Sequence, residues 1–122
     1  MNKKDKLDKV FSEYIREKGS INKYNTCFTC GKVLPISELH CGHFLSRRYL
    51  AIRWNVLNAK PQCRDCNVFK NGNEKIFKKR LRQEYGNGVI ADLEFQKHKI
   101  VKLTDEDYKE KIKFFKNKIK EL

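Results

Sequence analysis

The sequence predicts a small α+β domain in which a β-hairpin and a short helix lie between N- and C-terminal helices. Three observations lead to this prediction. Both ends of the chain carry apolar residues at helical spacing. Two Cys-x-x-Cys pairs bracket the middle of the chain. Between these pairs, residues 38–45 and 56–62 can form two strands, and a short helix can follow from about residue 64 to residue 71.

The first helix is predicted over residues 3–18. We interpret this segment as a packing helix that covers the core, in preference to a helix that binds a partner. Gly19 supplies a C-terminal stop. The apolar residues that recur on one helix face are Leu7, Val10, Phe11, Tyr14 and Ile15.

The C-terminal part of the chain is predicted to be helical and basic. Asn73 can cap a helix over residues 74–85, and a further helix is predicted over residues 91–98. Thr104, which three acidic residues follow, is a favourable cap for the last helix. We expect a single domain over residues 1–122. It comprises an N-terminal helix (1–19), a central core (24–72) and a basic helical part (73–122).

The two Cys-x-x-Cys pairs indicate a structural zinc site. Zn²⁺ takes four thiolates in a closed tetrahedral site. A redox role for the pairs is the competing interpretation, but two pairs in one short chain favour metal. Residues 31–62, 32 in all, separate the pairs. This exceeds the roughly 15–20 residues of a compact two-pair zinc site, so a substantial segment is inserted there. The zinc ligands would be Cys27, Cys30, Cys63 and Cys66.

The net charge of +13 is spread along the chain, with 28 Lys and Arg against 15 Asp and Glu. Such a surface attracts polyanions through counterion release, and nucleic acid is the commonest polyanion. A generic basic protein is the alternative. No apolar run approaches the ~18 residues of a membrane helix, and the first residues lead into no apolar signal segment. We therefore expect a cytoplasmic protein that binds nucleic acid and no membrane.

The segment between the cysteine pairs carries a sharper signal. Gly42-His43 is followed by Asn58, five residues before the second pair, and by Asn67, directly after it. This arrangement resembles the HNH, or ββα-metal, nucleases. The resemblance implies a ββα-metal core pinned by the zinc site. In that core His43 would be the general base, Asn58 would orient it, and Asn67 would hold a catalytic Mg²⁺ or Mn²⁺.

Further motifs are similar to the NinG/Rap recombination proteins of lambdoid phages, over nearly the whole chain. The resemblance implies an endonuclease that acts in the host-cell cytoplasm on branched recombination intermediates, such as Holliday junctions and D-loops. Because resolving a four-way junction usually takes two active sites, we also expect a homodimer. The matching segments include Phe11-Ser12-Glu13-Tyr14-Ile15-Arg16, Thr29-Cys30-Gly31-Lys32, Gly42-His43-Phe44, Arg53-Trp54-Asn55, Cys66-Asn67 and Gly72-Asn73.

The residue types suit phosphodiester hydrolysis. An imidazole, whose unperturbed pKa is near ~6.5, can deprotonate a water near neutral pH. A divalent cation at Asn67 can neutralise charge on the attacked phosphate. Many HNH enzymes carry Asp or His before the base as a second metal ligand, whereas this chain has Gly42. His40, Cys41 and Asp65 remain open as further ligands. Cys41 can also be interpreted as a small apolar packing residue, and His40 can be interpreted as a surface or packing residue.

Seven basic residues are candidates for contacts with DNA. Arginine binds phosphate bidentately, so the arginines after His43 are interpreted as phosphate clamps in an irregular loop, with a solvated loop as the alternative. The lysine-rich helix face can bind the DNA backbone or be only a solvated face. Trp54 is interpreted as a core anchor. A non-catalytic zinc-knuckle nucleic-acid-binding protein is the alternative function. The candidates are Arg47, Arg48, Arg53, Lys70, Lys75, Lys78 and Lys79.

Overall fold

The computed structural model describes every residue from Met1 to Leu122. It confirms the α+β class, with helices around two small antiparallel sheets. The helices are α1 (Lys3–Glu17), α2 (Leu50–Arg53), α3 (Glu74–Tyr85), α4 (Val89–Lys97) and α5 (Asp105–Lys120). The strands are β1 (Tyr24–Thr26), β2 (Val33–Pro35), β3 (His40–His43) and β4 (Ala59–Gln62). A π-helical turn spans Asp65–Phe69, and 3₁₀ turns span Ile36–Glu38 and Val56–Asn58.

The terminal helices α1 and α5 pack against each other. Each begins at a side-chain cap: Asn2 accepts a hydrogen bond from the backbone of Asp5, and Thr104 forms a reciprocal capping box with Asp107. The apolar face of α1 is buried as predicted. Phe11 meets Phe115 edge to face at a ring-centroid distance of 5.0 Å. The two ends of the chain therefore form one layer that covers the central sheet.

A second apolar cluster joins the central segment to α3 and α4. It contains Phe77 and Leu81 from α3, Leu93 from α4 and Ile52 from α2, all fully or almost fully buried. Phe28, from the first cysteine pair, packs on Phe77. This cluster lies apart from the α1–α5 cluster, so α3 and α4 hold the loop between β3 and β4 while α1 and α5 cover the β3–β4 sheet.

Strands β3 and β4 pair antiparallel and place the candidate catalytic segment. The register aligns His40 with Gln62 and His43 with Ala59. Side chains alternate along a strand. Cys41 and His43 accordingly lie on the α1 face, where Cys41 and Ala59 pack with the α1 cluster and His43 packs on Phe11. The other face carries His40 and Gln62. Both strands are shorter than the predicted segments, and β4 follows a 3₁₀ turn.

Two local features of the structure differ from what the sequence indicated. The sequence did not indicate the β1–β2 hairpin, which forms the first cysteine knuckle and turns at Gly31 with φ of +80°. Asn73 lies at the N-cap position of α3 as predicted, but its side chain makes no capping hydrogen bond. Asn73 adopts a left-handed conformation with φ of +50°, and its amide donates to Cys66 Sγ at 3.7 Å. None of the helices is both long and apolar enough to cross a membrane.

Candidate functional site

The four predicted zinc ligands converge on one point. Their sulfur atoms all lie within 4.8 Å of one another, and Cys30 Sγ is 3.7 Å from Cys63 Sγ. A tetrahedral site with Zn–S bonds of ~2.3 Å has sulfur atoms about 3.8 Å apart, so the donor set fits zinc in spacing and in chemistry. Burial opposes ionisation of the Cys27 thiol. Hydrogen bonds from Thr29 and from backbone amides outweigh it and lower the pKa of Cys27 to about 6. The four cysteines could therefore hold a structural metal ion such as zinc.

His43 has a fixed tautomer. Its Nε2 lies 2.9 Å from the backbone oxygen of Arg53. A carbonyl oxygen can only accept, so Nε2 carries the proton and Nδ1 of the neutral ring is an acceptor. Burial lowers the pKa of His43 below its usual value, and the positive charges of Arg47 and Arg53 act in the same direction. The imidazole is therefore neutral near pH 7, with Nδ1 available as a base.

Asn58 does not contact the imidazole that the sequence expected it to orient. Its side chain is fully buried and bridges the loop before α2. Oδ1 accepts from the backbone of Leu45 at 2.9 Å, and Nδ2 donates to the carbonyls of Leu45 and Ile52. The backbone oxygen of Asn58 also accepts from Phe44 at 2.8 Å. Asn58 thus fixes the segment that follows His43, and it acts on the ring only through the backbone.

Asp8 of α1 anchors the segment that holds His43, a contact that no sequence pattern indicated. Its Oδ1 accepts from Arg53 Nε at 3.0 Å and from Trp54 Nε1 at 2.9 Å, while Oδ2 accepts from Arg53 Nη2. Arg53 is only 8% exposed and donates also to the carbonyl of Arg47. The expectation that Arg53 lies free in an irregular loop is therefore wrong, because it is buried in α2 as an anchor. Trp54 is an anchor as expected.

Asn67 meets His40 on the opposite face of β3. Asn67 lies in the π-helical turn directly after Cys66, and its amide is 3.0 Å from His40 Nδ1. Both side chains are half-buried. The structure therefore brings Asn67 together with His40, which the sequence left open as a further metal ligand or a surface or packing residue. The signal that could have favoured it is strand alternation, which puts His40 on the same face as Gly42.

Only glycine fits at position 42, because the side chain of Gln62 occupies the space that a Cβ would need. A Cβ added at Gly42 would lie 1.9 Å from Gln62 Oε1. Gln62 is fully buried, and its amide nitrogen donates to Thr29 Oγ1 at 3.1 Å and to the carbonyl of Gly72 at 2.8 Å. Its Oε1 has no hydrogen-bond partner. The place that a metal-binding side chain at position 42 would fill is thus taken by a buried amide with a free oxygen.

One pocket lies between α1 and β3. Strand β3 pairs only with β4, so its other edge is free. Along this edge a pocket of about 350 Å³ is lined by His40 and His43, with Arg47, Arg16 and Asp8 around it. The pocket gives an incoming ligand access to the base candidate and to the neighbour of Asn67. Two arginines at its wall favour a negatively charged ligand.

A family model described as bacteriophage lambda NinG protein matches residues 2–122. The chain belongs to the NinG family. This confirms the family likeness that the short motifs indicated. No curated protein and no solved structure matches the chain.

The remaining basic candidates of this NinG-family chain are all accessible. Arg47 is exposed and reaches Asp8 Oδ2 at 3.3 Å, and Arg48 donates to the Tyr49 hydroxyl at 2.8 Å. Lys70 is exposed just after the π-helical turn. On α3, the three predicted lysines line one shallow surface without apolar residues, together with a basic residue that was not predicted. These four are Lys75, Lys78, Lys79 and Arg82.

Proposed function

We propose that this NinG-family chain is a metal-dependent DNA endonuclease that hydrolyses phosphodiester bonds, with selectivity for branched recombination intermediates such as Holliday junctions and D-loops. The observation that carries the proposal is the state of His43. It is a neutral imidazole whose Nε2 is held by the Arg53 carbonyl, in a pocket shared with His40. A base needs a free lone pair, a pKa that leaves it unprotonated at working pH, and access to substrate.

The roles of the chain's own residues follow from their contacts. His43 Nδ1 takes the proton of the attacking water, while the Arg53 carbonyl stabilises the imidazolium that forms because it accepts from Nε2. Arg47, at the wall of the pocket, neutralises charge on the attacked phosphate. Asn58 and Asp8 are positioning residues, because they hold the loop and the carbonyl and not the substrate.

A divalent cation, Mg²⁺ or Mn²⁺, would stabilise the charge on the phosphate and on the leaving oxygen when it is bound. The residues near Asn67 fit such an ion, since they offer an imidazole nitrogen, a carboxamide and the unpartnered oxygen of Gln62 on one face of the sheet. The order of β3, β4 and the π-helical turn also supports a ββα-metal core. The proposals that the substrate is branched DNA and that the protein acts as a homodimer rest on the family likeness. The net charge of +13 supports DNA as the partner.

The test compares the parent protein with His43→Gln on four-way-junction and linear DNA of matched sequence, with Mg²⁺ or Mn²⁺. Glutamine keeps a donor for the Arg53 carbonyl but has no basic nitrogen. We expect junction cleavage by the parent and a loss of about 10²–10⁴ in rate for the variant, with junction binding unchanged. His98→Gln, at an exposed histidine, should cleave like the parent. Binding without cleavage by the parent would instead support a non-catalytic zinc-knuckle protein.

A further inference from the structure

The metal ligand that Gly42 cannot supply has a candidate replacement on the same face of β3. We propose that His40, together with Asn67 and Gln62 Oε1, forms the binding site of the divalent cation. The inference deepens the proposed function by naming the ligands of its cation and the metals that they prefer. It assigns a ligand role to His40 and Gln62, neither of which is part of the Cys-x-x-Cys site.

The spacing of the two outer ligands fits a coordinated ion. His40 Nδ1 and the Asn67 amide are 3.0 Å apart. In an octahedral site with bonds of about 2.1 Å, adjacent ligand atoms also lie about 3.0 Å apart. The two ends of a carboxamide differ only by rotation about the last side-chain bond, so the same position can present Asn67 Oδ1 to a cation. The pair can therefore hold one ion once the Asn67 carboxamide turns over, with the positions of both side chains kept.

The third ligand is an oxygen that the fold leaves without a partner. Gln62 is paired with His40 across the β3–β4 ladder, so both side chains lie on one face. Its amide nitrogen is fixed by Thr29 and Gly72, which orients Oε1 over the backbone of Gly42. A buried carbonyl oxygen without a hydrogen bond has lost its hydration without compensation, which destabilises the fold. A cation, or a water bound to it, would remove that cost.

The other two ligand candidates are less suitable. Cys41 lies on the α1 face of β3, where it packs with the α1 cluster, and so its thiol is on the opposite face from Asn67. Asp65 is exposed and makes no side-chain hydrogen bond to His40 or Asn67. Of the three residues that the sequence left open, only His40 touches Asn67.

The ligand set also predicts which metal is preferred. One imidazole nitrogen with two amide oxygens is a mixed set without a carboxylate. An imidazole nitrogen binds transition metals more tightly than it binds Mg²⁺. Mg²⁺ prefers oxygen ligands, and this site has no carboxylate to offer it. We therefore expect Mn²⁺ and Co²⁺ to bind more tightly than Mg²⁺. Replacing the imidazole by a carboxylate, as in His40→Asp, should shift the preference towards Mg²⁺.

The experiment measures Mn²⁺ binding to the zinc-loaded protein without DNA, by electron paramagnetic resonance of the free ion. We expect one Mn²⁺ site in the parent. His40→Ala and Asn67→Ala should each weaken it by at least about tenfold, and His98→Ala should not change it. Bound zinc is measured in every variant as the check on folding. If His40→Ala loses zinc, His40→Gln, which keeps a side chain of similar length, takes its place.

A second readout uses the three histidines of the chain. In imidazole NMR spectra, substoichiometric Mn²⁺ should broaden the resonances of His40 before those of His98. Unchanged Mn²⁺ affinity in both His40 and Asn67 variants, or no Mn²⁺ site in the parent at millimolar metal, would overturn the inference even if the protein cleaves DNA. Conversely, a His40-dependent Mn²⁺ site in a protein that cleaves no DNA would uphold the site and refute the nuclease.

Discussion

The Asp8 carboxylate joins α1 to the segment whose carbonyl holds His43, and Asp8→Asn tests that connection. The substitution keeps the shape of the side chain and removes its charge. In the parent, the carboxylate accepts three hydrogen bonds from Arg53 and Trp54. In the variant, an amide NH₂ group would face one of the arginine donors, and the guanidinium would be left in the protein without its counter-charge.

The expected magnitude follows from the burial of the pair. The Arg53 side chain is 10% exposed and that of Asp8 is 21% exposed. Removing one partner of a fully buried ion pair costs about 3–5 kcal/mol. Because water reaches part of Asp8, we expect about 2–4 kcal/mol for Asp8→Asn. For a domain of this size, that corresponds to a decrease in Tm of roughly 8–16 °C.

The pH dependence of this effect has a definite sign. Burial raises the pKa of the Asp8 carboxyl, but the hydrogen bonds and charge of Arg53, with the hydrogen bond of Trp54, outweigh it and lower the pKa. A carboxyl with a lowered folded-state pKa stabilises the fold fully above its unfolded pKa of ~3.9, and loses that contribution as the pH falls through the folded value. The stability difference between parent and variant should thus be constant from about pH 5 to 8 and shrink below about pH 4.

The measurement is thermal unfolding of the zinc-loaded proteins by circular dichroism at several pH values. Asp92→Asn, on the exposed surface of α4, is the matched control and should change the free energy of unfolding by no more than about 0.5 kcal/mol. If Asp8→Asn melts within a few degrees of the parent at pH 7, the ion pair does not anchor α2, and α1 does not position the Arg53 carbonyl that holds His43.

Three further predictions concern the other supports of the site. Gly42→Ala should lower the free energy of unfolding by about 1–3 kcal/mol, because the added Cβ collides with Gln62. In urea titrations, Gly42→Ala should cost much less when it is made in the Gln62→Ala variant. An equal cost in that variant would show that the backbone, and not Gln62, excludes the Cβ. Removing zinc with a chelator should unfold the cysteine knuckles, seen as a loss of amide protection around Cys66, whereas an unchanged exchange pattern would show that the metal is dispensable. Single-turnover cleavage should stay high at neutral pH and fall only as the pH drops through the lowered pKa of His43, so a midpoint above ~6.5 would contradict the burial argument.

The sequence predicted what depends on local pattern. The helices α1, α3 and α5 follow from apolar spacing that a single segment reveals, and the cysteine cluster follows from the ligand spacing. The β1–β2 hairpin was not predicted, because strands of three residues are too short to show an alternation of apolar and polar side chains. The position of the Asn73 cap was predicted but its side-chain contact was not, because the amide donates to Cys66 Sγ, seven residues earlier in the chain.

The parts of the site that the sequence could not predict are contacts between distant residues. Asp8 and Arg53 are 45 positions apart, and His40 and Asn67 are 27 positions apart. No local pattern relates such residues, and their pairing is decided only when α1 and the π-helical turn pack on the two faces of the hairpin. His40 was therefore indistinguishable from a surface histidine, and Arg53 from an exposed phosphate clamp.

These long-range contacts divide the support of the site between the two faces of β3. On one face, α1 holds the Arg53 carbonyl through Asp8, and that carbonyl sets the tautomer of His43. On the other face, the cysteine knuckle fixes the π-helical turn through Cys66, and the next residue, Asn67, meets His40. The base and the cation site are thus held by separate structures that meet only at a two-stranded ladder. A two-stranded sheet is marginal by itself, so both supports are needed to hold the base and the cation site on the two faces of β3.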